Sequence, residues 1–243
     1  MDVYVLEQYY VKYLKEIRGV SDSTVKHYQD ALRHISKYLT GKGKLHQVVY
    51  ELEDIEELDD LRTYLYADVD FMALDKRGHQ MYSAGFNNYY KFASGELFAD
   101  MYQRITNLDI EIPVAGKNSV RQTVWKRSAI IKNQSMEAVG FQCEVNPAHK
   151  TFIVKGKTHP YMEGYHAISL RLQGMFSKSL DVYANIVCLC PICHRFLHYG
   201  IDSEKEFILD KMYYDRRDRL AASGIALSVL EFKRLCCDQD FNL

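Results

Sequence analysis

The chain has 243 residues, 47% hydrophobic and 26% charged, with a net charge of −1. That is ordinary for a globular protein of one large or two small domains, each long enough to bury a core. It excludes a polycation, and no run of about 18 apolar residues is present to span a membrane. The N-terminus, MDVYVLEQYYVKYLKE, lacks a basic head, apolar core and small-residue cleavage site, so a cytoplasmic protein with reduced thiols is expected.

The first hundred residues read as helical. Leu6, Tyr9, Tyr10, Tyr13, Leu14 and Ile17 recur at three- and four-residue spacing, as one buried helix face requires. Gly19 breaks the pattern. Ser21 or Ser23 can cap a second helix bearing Val25, Tyr28, Leu32, Ile35 and Leu39, which Gly41-Lys42-Gly43 ends. Further helices are predicted over about 56–67 and 82–93. The segment GVSDSTVKHYQDALRHISKYL resembles the helical DNA-clamping domain of tyrosine recombinases. Arg77–Ser83 and Asn87–Lys91 mix donors with aromatics, as base- or phosphate-contacting surfaces do, although a tyrosine-rich core with a capped turn accounts for them more simply.

Residues 109–120, DIEIPVAGKNSV, have Pro, Gly and no clear period, which places a domain boundary there and divides the chain into 1–112 and 113–243. Charge is uneven on either side. Residues 51–60 are strongly acidic, whereas between Glu111 and Glu137 there is no acid and five bases: Lys117, Arg121, Lys126, Arg127 and Lys132. Of these, Arg121, Lys126 and Arg127 are the candidate phosphate contacts. A helix over about 120–140 then leads to Cys143. Thr151–Lys155 and Tyr161–Leu170 are β-like, Asn185–Leu189 is compact, Cys193–Tyr199 has helical spacing, and closing helices are expected near 203–221 and 226–237.

Two groups of residues carry chemistry. Cys190-Pro-Ile-Cys193 is a C-x-x-C knuckle, and a tetrahedral zinc site needs two more ligands. Cys143 is the third. Three residues after it stands Asn146, a poor zinc ligand, but His149 could complete a Cys3His set. Cys188, Cys236 and Cys237 read as small buried hydrophobes. In the second group, His194 and His198 are i and i+4, so one helix face presents both to a single metal ion. His166 and Asn185 fall in the same ordered window of about 50 residues.

Together these residues (CEVNPAHKTF, PYMEGYHAISL and DVYANIVCLCPICHRFLHYG) resemble the HNH, or ββα-metal, endonucleases, McrA-like restriction enzymes among them. The resemblance covers residues 143–200. It implies a β-hairpin followed by a helix that grips one divalent ion. Joined to the helical and zinc-ligand patterns above, the expected fold is α+β, mostly helical, with a helical N-terminal DNA-recognition domain, then a ββα-metal domain with a structural Zn2+ and C-terminal helices. The resemblance further assigns roles. It implies that His166 is the general base, that Asn185 orients the base's loop, and that His194 and His198 hold Mg2+ or another divalent ion. The products would carry 5′-phosphate and 3′-hydroxyl ends. The position before the base is commonly a His or Asp ligand and here is Tyr165, a weak ligand that could instead position water or phosphate. The usual Pro after the hairpin is Ser169. Glu163 reads as solvent-facing, with His166 or the metal the alternative destinations. Double-stranded DNA is the expected substrate, and since one site cuts one strand, a homodimer is expected. The alternatives are a nicking or mobile-element HNH nuclease and a zinc-stapled DNA-binding module whose catalysis has lapsed.

Overall fold

The computed structural model describes residues 4–52, 54–96, 98, 106–114 and 127–237. They are mostly helical, with one small two-stranded sheet. No helix among them is long and apolar enough to cross a membrane. Contacts divide the chain into two compact units. The first gathers the described residues up to 96 together with 128–130, and the second gathers the remainder.

The first unit contains α1 (Val5–Lys12), α2 (Asp22–Gly41), α3 (Ile55–Ala67), α4 (Val69–Arg77) and α5 (Met81–Ala93). A π-helical turn, Tyr13–Ile17, extends α1 until Gly19 takes a left-handed φ of +61°. Ser21 is the cap of α2, its hydroxyl accepting from the Thr24 N–H at 3.3 Å. The long α2 packs chiefly on α5, and Gly85 explains the close approach. A Cβ on Gly85 would stand 2.7 Å from that of Ala31, so any larger residue would push the helices apart. Around this contact Tyr9, Tyr10, Tyr13, Leu32, Ile35, Tyr89 and Phe92 are all sealed from solvent. Tyr10 and Tyr50 each meet the Tyr89 ring edge-on, at 5.1 and 5.2 Å.

α4 has little apolar periodicity, and the sequence did not single it out. It forms because Asp68 caps its first turn, accepting from the Asp70 N–H at 3.0 Å, while Phe71 supplies its buried anchor. Buried Asp75 then accepts from the Ser83 N–H, which stabilises the start of α5 across a turn where His79 and Gln80 adopt positive φ. Residues 77–83 thus form a capped turn. Asn88 and Tyr90 are engaged within the same unit, with the Tyr10 hydroxyl and the Arg62 guanidinium respectively.

In the second unit the described elements are most of α6 (Ala129–Ala138), β1 (Glu163–His166), β2 (Ile186–Leu189), α7 (Pro191–Tyr199), α8 (Asp202–Ala222) and α9 (Val229–Cys237). The strands are antiparallel, with Glu163 opposite Leu189 and His166 opposite Ile186. The β-like stretch at 151–155 is reduced to a single bridge, Ile153 to Pro160. The described residues 98 and 106–112 belong here too, so the 112/113 boundary falls inside this unit. Buried Asp109 pairs with Arg219 of α8, the Ser179 N–H donates to the Ile112 carbonyl at 2.7 Å, and Pro113 bridges Lys178. A Pro-Gly-rich stretch has no helical period, yet its first half is docked by these bonds. Buried Arg216 of α8 donates to the Tyr183 and Ala184 carbonyls and pairs with Glu144, which accepts from the Cys188 N–H. That chain of bonds fixes the strands between α8 and the knuckle. Arg121 and Lys126 lie outside the described residues; Arg127 is exposed.

A candidate metal centre and histidine site

Helix α7 begins inside a cysteine–histidine cluster and carries a pair of histidines. Cys190 is its N-cap, the sulfur accepting from the Cys193 N–H at 3.5 Å, and Pro191 supplies a pre-set first residue. Asn146 explains how His149 reaches the same place without a second C-x-x-C. Its side-chain oxygen accepts from the Ala148 N–H and its carbonyl from the His149 N–H, closing an Asx-type turn that folds the chain back. The ligand atoms of Cys143, His149, Cys190 and Cys193 then lie within 4.8 Å of one another. His149 Nδ1 is 3.5 Å from the Cys190 sulfur and 3.3 Å from that of Cys193.

The donor set fits a metal ion. A tetrahedron with Zn–S near 2.3 Å and Zn–N near 2.1 Å has edges of roughly 3.5–3.8 Å, close to these separations. The thiols differ in direction. Burial by itself would raise the Cys143 thiol, but N–H groups of Cys190, Asn146 and Val145, together with His149, bring it down to about 7. Burial and the neighbouring sulfurs push Cys193 up, because three thiolates do not share one pocket without a cation between them. Cys188 stands apart in β2, its thiol raised by burial, and Cys236 is buried in α9.

Past the cluster, α7 presents His194 and His198, whose Nε2 atoms converge to 3.1 Å. Two imidazoles sharing an ion at about 2.1 Å place their nitrogens roughly 3.0–3.4 Å apart, so this pair also fits. On β1 the Tyr165 ring is buried and stands edge-on against both imidazoles, at 5.3 and 5.5 Å between ring centres. Glu163, two residues earlier and on the same strand face, is not turned to solvent. Its Oε2 meets His194 Nδ1, and its Oε1 accepts from the Tyr161 hydroxyl at 3.0 Å. Burial works to raise this carboxyl, yet the bonds from His194 and Tyr161 hold it below the ordinary carboxylate range.

His166 ends β1 on the opposite strand face, half-buried, with Nε2 2.8 Å from Asp181 Oδ1. Asn185 has no exposed surface. Its Oδ1 accepts from the Ile168 N–H at 2.8 Å, its Nδ2 donates to the carbonyls of Ile168 and Leu180 at 2.8 and 2.9 Å, and its own carbonyl accepts from the Ala167 N–H. The chain leaving His166 is thereby tied to the loop that carries Asp181. Buried Gln173 holds that loop from its other side, bonding the Lys178 carbonyl and the Leu180 N–H. Asp181 escaped the sequence reading because it lies 15 residues from His166 and no linear pattern joins them. Glu163 could be found, since the period-two rule puts it beside Tyr165.

The structure therefore brings together Cys143, His149, Cys190 and Cys193 in one cluster, His194 and His198 in a second, and His166 with Asp181 above the Asn185 brace. No family model, no curated protein and no solved structure matches this chain.

Proposed function

We propose that the protein is a metal-dependent DNA endonuclease of the HNH type, with a structural zinc in the Cys3His cluster. The observation that carries this reading is the role of Asn185. A fully buried amide uses both its polar atoms to tie the exit of one strand histidine to the loop carrying that histidine's carboxylate partner, which is wasteful for packing alone and apt for orienting a base. With Asp181 accepting the Nε2 proton, His166 offers the Nδ1 lone pair. It would take a proton from water as the water oxygen bonds to phosphorus and the P–O3′ bond breaks, giving 5′-phosphate and 3′-hydroxyl ends. An ion held by His194 and His198 would supply positive charge against the charge that builds on the phosphate. Two imidazoles favour a first-row transition ion over Mg2+, which prefers oxygen ligands.

The helical first unit is the proposed DNA-recognition part, and a two-fold dimer on duplex DNA is the simplest route to cutting both strands. Tyr165 favours a second reading, a zinc-stapled DNA-binding module without catalysis, because it fills with a buried phenol a position expected to hold a ligand. Plasmid incubated with Ni2+, Mn2+ or Mg2+, unmodified and cytosine-methylated side by side, separates the two. Ion-dependent nicking or cutting is expected. Plasmid that is bound but intact with every ion would leave only the binding module.

A further inference from the structure

The histidine pair on α7 has a carboxylate behind it. On β1, Glu163 and Tyr165 share one face, and Tyr165 covers the imidazoles with its ring. Glu163 engages the nitrogen of His194 that points away from His198. A carboxylate acting as a direct ligand would converge with both Nε2 atoms; this one sits at the opposite side of the ring. Its second oxygen is held by Tyr161, so its orientation is set independently of His194.

We propose that Glu163 is the positioning residue for metal binding at this site. It accepts the Nδ1 proton of His194, holds the imidazole in the tautomer whose lone pair is on Nε2, and aims that lone pair at the point it shares with Nε2 of His198. Its formal negative charge also makes His194 a better donor, as carboxylate–histidine–metal arrangements do. Such support compensates for the neutral phenol at position 165. The inference rests on reading His194 and His198 as a metal pair.

Calorimetric titration of Ni2+ into the zinc-loaded full chain tests both levels, with zinc content and circular dichroism confirming that each variant is folded. H194A should abolish Ni2+ binding. E163A should weaken it about 10- to 100-fold, and E163Q less, because its amide oxygen still accepts from Nδ1. In zinc-loaded, 15N-histidine-labelled protein without added Ni2+, His194 should be the Nδ1–H tautomer in wild type and E163Q and lose that preference in E163A. E163A binding Ni2+ within about twofold of wild type, with H194A still abolishing binding, overturns the role of Glu163 alone. H194A that binds as wild type does overturns the metal pair itself, and the proposal with it.

Discussion

One nine-residue helix carries two side-chain clusters of opposite character. At its start, Cys190 and Cys193 join Cys143 and His149 in a group of four side chains able to hold a metal ion, whose three cysteines are all buried. One turn later, His194 and His198 offer two nitrogens, from side chains that keep some contact with solvent. Four protein ligands leave a tetrahedral ion nothing to exchange, so such a site stabilises; two leave positions for water or substrate, so such a site can react. The i, i+4 spacing and the knuckle spacing overlap on α7, and the closed cluster therefore fixes the direction in which the open pair points.

The comparison breaks most visibly at the closed cluster. C190S or C193S should give unfolded or insoluble protein, since structural zinc contributes about 10–16 kcal/mol of apparent binding free energy to folding; well-folded, zinc-free variants would reduce the cluster to ordinary buried cysteines. N185A should cost about 3 kcal/mol in denaturant melts, because it strands three buried backbone groups, and it should leave zinc content unchanged. Chelation should sharpen the contrast further: brief dialysis against EDTA is expected to remove added Ni2+ from the open pair while zinc and the circular dichroism spectrum persist, and equal loss of both metals would erase the distinction between the sites. The smallest effect concerns pH. The Glu163 carboxyl lies below its ordinary value, so the stability it contributes is complete above roughly pH 4.3 and is lost as pH falls through the lower folded value. E163Q should flatten that acid limb of an unfolding-versus-pH profile; an unchanged limb would show the link contributes nothing to the fold.

How much of this the sequence disclosed differs by region. Helices α2, α3, α5, α8 and α9 were legible to within a few residues, because apolar periodicity and caps such as Ser21 act locally. The cysteine–histidine cluster was legible through spacing alone, down to His149, since ligand chemistry left few other candidates. α4 was not, because its formation depends on Asp68 and a single buried Phe71. The domain boundary was displaced because Asp109 and Ile112 are recruited by Arg219 and Ser179, more than 65 residues along the chain. Asp181 is likewise a product of tertiary structure, recognisable only once the fold has brought His166 to it, whereas Glu163 was within reach of the strand period and only its choice of His194 over solvent was not.

The central claim is that His166, braced by Asn185 and Asp181, removes a proton from the water that cleaves DNA. The most direct measurement is cleavage of duplex plasmid by wild type and H166A at matched zinc content and matched DNA binding. The account predicts that wild type cuts in the presence of a divalent transition ion and that H166A, equally folded and equally bound, loses about 10²- to 10⁴-fold in rate. Equal cutting by H166A would contradict it and remove His166 from the chemistry.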